Sequence, residues 1–241
     1  MKKIVVTGHK GFIGRYLTEE LSRLGHSFYG MDLKESEEQN VVLHSTPPCD
    51  TIFHLSAQTS VPDSMENPFY DAVNNILATI RILKDNPNAK IIVASSVASI
   101  EPESPYGVSK LAIEKYAHIL HKNCVVCRFP NVFAEDDHGV MTRFINEKEI
   151  TVYGDGTQTR DMVYVGDIVK GLMQAVNWPA GTYEFGSEKS CSVLDMAKAT
   201  GKNITFADKR AGDKQDSIGK NTTPNWKPVV DPIGFIRLNV K

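Results

Sequence analysis

The chain opens with a short β-branched run, Ile4-Val5-Val6, that stops at Thr7-Gly8. Such a run, with no polar alternation, needs cover on both faces, which predicts a central parallel strand. From Phe12 the spacing becomes helical, with Phe12, Ile13, Tyr16, Leu17, Leu21 and Leu24 recurring on one side. Gly25 closes this predicted helix over 12–24. Residues 27–31 predict a second strand, ending at Asp32. The alternation continues with strands over 51–55, 90–94, 125–129, 162–165 and 183–185, and helices over 70–83, 108–121 and 167–176. Strands and helices in this order imply an α/β fold, a doubly wound parallel sheet with helices on both faces. Segments 130–160 and 188–241 are less regular and predict a small C-terminal lobe for substrate. The expected division is therefore 1–129 plus 161–187 for the sheet domain, and 130–160 plus 188–241 for the lobe.

Between the first strand and first helix lies Thr7-Gly8-His9-Lys10-Gly11-Phe12-Ile13-Gly14, with glycines at G-x-x-G-x-x-G spacing. Glycine permits a tight turn and a close backbone approach to a pyrophosphate, and the helix N-terminus offers unpaired N–H groups to the anion. Strand, glycine turn, helix, strand, acid is half of a Rossmann dinucleotide-binding fold. Asp32 lies 18 residues past Gly14, where its carboxylate can accept from ribose hydroxyls and repel a 2′-phosphate. That favours NAD over NADP, a preference Lys34 tempers. The cofactor contacts expected here are Gly8, Lys10, Gly11, Phe12, Ile13, Gly14, Asp32 and Leu33.

A second constellation follows the fourth strand. Ser95-Ser96 closes that strand, and Tyr106 and Lys110 stand four apart in a helix expected to begin near Pro105, so they share a face. A phenol ordinarily titrates near 10, too high for a base at neutral pH. A neighbouring ammonium and an oxidised nicotinamide are both expected to lower it. Ser96 would hydrogen-bond the reacting oxygen and help Tyr106 carry the proton.

Composition narrows the partners. A net charge of −2 argues against nucleic acid, which needs a basic face. No stretch reaches the length of a membrane span, and the N-terminal apolar run is too short for a signal peptide, so a cytoplasmic location is expected. Of the four cysteines, Cys49, Cys124, Cys127 and Cys191, Cys124 and Cys127 form a C-x-x-C inside an apolar strand, which reads as core. His118 and His121 read as packing residues, and no metal is expected.

Several of these motifs occur together in one order. The glycine turn, His54-Leu55-Ser56-Ala57-Gln58, Ser95-Ser96, Tyr106-x-x-x-Lys110 and Arg160-Asp161-Met162-Val163-Tyr164-Val165-x-Asp167 resemble the NAD-dependent epimerase/dehydratase family of extended short-chain dehydrogenases/reductases. The resemblance runs from Lys3 to about Trp226. It implies NAD as cofactor, Tyr106 as catalytic base, Lys110 as its electrostatic partner on the nicotinamide ribose, and Ser96 as the family's Ser/Thr. Leu55, Ser56 and Ala57 match the loop passing under the cofactor, with Ser95, Tyr106 and Lys110 also in contact with it. Asn75 matches a helix asparagine that supports the site. Asn131, Arg160, Arg210 and Asp213, together with Ser96, match contacts to a nucleotide sugar. The resemblance also implies a homodimer, joined through the helices over 71–83 and 108–121.

Within the family, dehydratases carry an acidic pair after the Ser/Thr, where this chain has Val97-Ala98. Reductases that epimerise at two carbons use a cysteine near there, and this chain has none. By elimination the resemblance implies a nucleotide-sugar 4-epimerase working through a transient 4-keto sugar. A dehydrogenase or reductase of a small substrate and a non-catalytic NAD-binding protein remain the alternatives. Only nine residues separate Ser96 from Tyr106, and the stretch from Asp32 to His54 is also short, so this is a trimmed version of the family pattern.

Overall fold

The computed structural model describes residues 2–136, 139–209 and 215–240. Its contacts divide the chain into two compact units, 1–128 with 169–183 and 129–168 with 184–241.

The first unit is built on strands β1 (Ile4–Thr7), β2 (Phe28–Met31), β3 (Thr51–His54), β4 (Lys90–Ser96) and β5 (Cys124–Phe129). Strand Gly181–Glu184 completes a six-stranded sheet next to β5, and the remaining order is β4, β3, β1, β2. β1 pairs in parallel with β2 and β3, and β3 with β4. The chain runs outward from β1 to β2, then crosses back to β3. The order therefore reverses between β1 and β3, and the crevice for a ligand opens at their carboxyl ends. The all-apolar strands are buried as their composition demands: Val5, Val6, Ile52, Phe53, Ile91, Ile92 and Val93 are at most 1% exposed. Cys124 and Cys127 lie buried in β5, where burial pushes the Cys124 thiol up to about 12 and Cys127 higher than usual too. Both thiols are core.

The helix whose apolar pattern runs over 108–121 is Pro105–Leu120, beginning where the shared face of Tyr106 and Lys110 requires; Ser104 caps it, accepting from Gly107 N, with Pro105 in the first turn. Another helix differs from expectation. The segment predicted as one helix over 70–83 is helix Pro68–Ala72, a π-helical turn Val73–Leu77 and helix Ala78–Asp85. A single widened turn leaves the apolar spacing almost intact, so periodicity does not show it.

The second unit has three two-stranded sheets: Asn131–Phe133 with Met162–Tyr164, Glu149–Tyr153 with Asn203–Ala207, and Thr159–Arg160 with Cys191–Ser192. Phe133, Phe144, Met196 and Ile236 centre its core. Residues 161–168 group with this unit because Met162–Tyr164 pair with Asn131–Phe133. Among the described residues no helix is long and apolar enough to cross a membrane.

Candidate active site

The glycine turn follows β1 and is tied to β2 by Gly8 N donating to the Met31 carbonyl at 2.7 Å. Gly8 has φ +73°, and a Cβ there would lie 2.6 Å from Ser56 N. A Cβ on Gly14 would lie 2.0 Å from the Gly8 carbonyl oxygen. The turn and the helix Phe12–Arg23 are thus packed as only glycine allows. No side chain caps this helix at Gly11, which leaves its first-turn N–H groups for an anion. Asp32, 8% exposed, sits just past β2. Its Oδ2 accepts from Lys10 N and its Oδ1 from Lys34 N, each at 2.9 Å. A cradle that a Cβ would fill, an uncapped helix start and an acid beside it fit a nicotinamide dinucleotide.

Lys10 reaches the turn through its backbone, while its ammonium pairs with Glu35 at 2.8 Å. Leu33 is half exposed, and Leu55, Ser56 and Ala57 follow β3 in intermediate burial. Behind the turn runs a hydrogen-bonded chain whose proton positions are fixed by its end. Thr79 Oγ1 donates to the Asn75 carbonyl (2.7 Å), so it accepts from His54 Nε2 (3.0 Å). His54 Nδ1 then accepts from Thr7 Oγ1 (2.8 Å), which accepts in turn from Ser56 Oγ (3.1 Å). Burial, aided by the charge of Lys110, pushes His54 down to about 3, so the ring is neutral as this chain requires.

Ser96, Tyr106 and Lys110 gather at the end of β4 and the start of helix Pro105–Leu120. Tyr106 and Ser96 are linked through their side chains. The Lys110 ammonium lies 5.7 Å from the centroid of the Tyr106 ring and donates to the Ala94 carbonyl at 3.1 Å. The short link between Ser96 and Tyr106 folds as a 3-10 turn, Val97–Ser99, in which Ser96 Oγ accepts from Ala98 N. It crosses the helix at Gly107, where a Cβ would lie 2.7 Å from the Ala98 carbonyl.

Electrostatics corrects one expectation. Burial, with a smaller contribution from Asp71, raises the Tyr106 phenol above its usual range, and the Ser96 hydrogen bond offsets this only in part. In the protein alone the net direction is upward, because desolvation of a buried phenolate dominates. Lys110, 3% exposed, is itself pushed down by burial to about 8, with Asp71 and Glu114 opposing. It remains mostly protonated at pH 7.

Asn75 sits in the π-helical turn, a feature frequent at functional sites. Its Oδ1 accepts from Gln58 N at 2.8 Å, and its Nδ2 reaches Ser109 Oγ (2.9 Å), Asp71 Oδ1 (3.1 Å) and the Gln58 carbonyl (3.1 Å). It therefore joins the loop after β3 to the catalytic helix. The Ser95 hydroxyl donates to Glu114 Oε1 at 2.6 Å, which ties the end of β4 to helix Pro105–Leu120. Glu114 also accepts from Ser99 Oγ (2.6 Å) and from Arg128 Nε and NH2 (2.9 and 2.6 Å). Asp71, Ser109, Glu114 and Arg128 were not singled out from sequence. Glu114 stands four residues past Lys110 and Asp71 four before Asn75, so helical spacing from known site residues was the available signal.

In the second unit, Asn131 donates through N and Nδ2 to the Asp161 carbonyl (3.1 and 3.3 Å), which sets it beside the strand holding Arg160. Arg160 is partly buried and its NH1 donates to the Thr159 carbonyl. Arg210 and Asp213 lie outside the described residues.

A family model, the NAD dependent epimerase/dehydratase family, matches residues 4–186. Among similar proteins is a UDP-glucose 4-epimerase of Mycolicibacterium smegmatis, 28% identical over 95% of this chain and 94% of its own length. Among solved structures is the UDP-glucose 4-epimerase of Thermotoga maritima with UDP-glucose, at 25% identity and TM-score 0.84, covering 99% of this chain and 97% of that one. A UDP-N-acetylglucosamine 4-epimerase of Methanobrevibacter ruminantium, in complex with UDP-N-acetylmuramic acid, aligns over the same shares at 25% identity and TM-score 0.85.

Proposed function

This chain belongs to the NAD-dependent epimerase/dehydratase family, and from that membership we propose that it is an NAD-dependent nucleotide-sugar 4-epimerase. The observation that carries the proposal is the meeting of Ser96, Tyr106 and Lys110 at the carboxyl end of a sheet whose glycine turn fits a dinucleotide. Relatives that align along nearly all of their own length include UDP-sugar 4-epimerases, which makes a UDP-sugar the first substrate to test.

In this reading, Tyr106 accepts the proton of the sugar 4-hydroxyl, and Ser96 holds that oxygen and the phenol in line. Lys110 stabilises the phenolate form that takes up this proton, its own charge favoured by Asp71 and Glu114. NAD⁺ held at the glycine turn would supply the hydride acceptor, and its positive charge would favour the phenolate of Tyr106, which burial raises above its usual range. Return of hydride to the other face of a 4-keto sugar would invert C4, with Tyr106 giving the proton back. Asn131, Arg160, Arg210 and Asp213 are assigned to the nucleotide sugar, with arginine suited to a diphosphate by its planar, permanently charged fork.

The test is to incubate the protein with UDP-, GDP-, dTDP- and CDP-sugars and follow interconversion by proton NMR alongside absorbance at the NADH band. Epimer formation without net NADH is expected. Net NADH accumulation would replace the reading with a dehydrogenase, and no change in any sugar would remove it.

The assembly assigned is a homodimer joined through helices 68–85 and Pro105–Leu120. Phe69 and Ile119 are each 78% exposed, and Tyr70, Leu77, Val108, Tyr116 and Leu120 add to an uncovered apolar surface on these helices. Ile119→Glu is expected to convert a dimer to a monomer in light scattering; a wild-type monomer would contradict the assignment. The cytoplasm is the assigned compartment, which suits four unpaired cysteines.

A further inference from the structure

Past β2 the chain turns sharply, with Glu35 N donating to the Asp32 carbonyl at 3.0 Å. The Asp32 carboxylate ties two turns together: one oxygen holds Lys10 N and the other Lys34 N. This turn brings Glu35 back over the glycine turn, where its Oε1 meets Lys10 Nζ at 2.8 Å and His9 Nε2 at 3.2 Å. His9 lies flat against β2, since a Cβ on Gly30 would fall 2.7 Å from three atoms of its ring. That ring is only 10% exposed, and its Nδ1 is buried without a hydrogen-bond partner. Lys10 and His9 hold the Glu35 carboxyl below its usual range, so it is ionised at neutral pH.

We propose that Glu35 is the residue that reserves this ribose site for NAD⁺, by neutralising Lys10 and engaging His9 Nε2, which without it would form a 2′-phosphate site. The proposal rests on the reading that a nicotinamide dinucleotide binds at the glycine turn. Asp32 already gives one oxygen to each of two backbone N–H groups, so its first task is to build the turn. Glu35 adds a second negative charge next to it and engages the side chains of Lys10 and His9. A 2′-phosphate entering there meets two carboxylates, with Lys10 and His9 already held by one of them. With the charge of Glu35 removed, the Lys10 ammonium and the imidazole of His9 face the same space, an arrangement suited to phosphate.

The experiment equilibrates the protein with equal NAD⁺ and NADP⁺, removes free nucleotide by gel filtration, and quantifies bound nucleotide by chromatography. Wild type is expected to retain mainly NAD⁺. Glu35→Gln keeps the side-chain length, lies on a turn with a third of the side chain exposed, and is expected to melt like wild type. It should raise the bound NADP⁺/NAD⁺ ratio about tenfold or more, the size of one favourable charge contact, and added salt should shrink the rise. Adding Lys10→Met to Glu35→Gln should return the ratio toward wild type. An unchanged ratio in Glu35→Gln, or a rise indifferent to Lys10, overturns the proposal. A wild type that retains neither nucleotide overturns the cofactor reading instead.

Discussion

In the second unit Asp161 is fully buried, and its oxygens accept from Ser187 N, Ser187 Oγ (2.6 Å) and Gly219 N (3.0 Å). Asp167, 1% exposed, accepts through Oδ2 from Val229 N and Val230 N. Each acid fastens stretches of chain that lack regular structure to the strand or helix that carries it. In the first unit Lys110 is as deeply buried, yet among the described residues no carboxylate forms an ion pair with it; Asp71 and Glu114 act on it as charges at a distance. The contrast separates two uses of a buried ionisable group. Where several donors converge on the group, as at Asp161, it serves as a fastener, even though burial raises its carboxyl above the usual range. Where no such set of partners holds it, as at Lys110, burial brings its titration to about 8, within reach of proton exchange.

The comparison breaks most visibly at Tyr106. Tyr106→Phe removes the proton acceptor and is expected to cut epimerisation by about a thousandfold or more, with NAD content and urea midpoint unchanged. Asp161→Ala should do the reverse, lowering unfolding free energy by about 3 kcal/mol by leaving buried donors unpaired, a loss read in urea titration. Adjacent serines sharpen the contrast within one strand. Ser96→Ala is expected to lower turnover about 10- to 100-fold, while Ser95→Ala, which removes a donor to Glu114, should register mainly in stability. The smallest effect is a slope. Burial brings Lys110 down to about 8 in the fold, against the ordinary lysine value of 10.5 when unfolded. Between those values the unfolded chain binds more protons, so stability rises with pH. Lys110→Met should flatten that rise in denaturation curves measured from pH 8 to 10.5.

Much of the first unit was legible because its signals are local. β-branched runs marked β1, β3, β4 and β5, and the glycine spacing marked the turn between β1 and its helix. The catalytic trio was legible through spacing on one helix together with the serines closing a strand. What stayed hidden depends on contacts between segments far apart in sequence. Asn75 meets Ser109 across 34 residues, and Ser95 meets Glu114 across 19. Ser95 and Ser96 are chemically identical neighbours, and only the alternation of β4 against its surroundings turns one toward Glu114 and the other toward Tyr106.

The amino-acid sequence by itself determined the order of strands and helices, the turn that only glycine can make, and which side chains carry the chemistry, because periodicity and steric allowance are properties of a few consecutive residues. Tertiary structure decided how those side chains titrate and which of them are engaged elsewhere. Desolvation and hydrogen bonding depend on what the fold brings alongside, as the phenol of Tyr106, the ring of His54 and the Glu35 carboxylate each show.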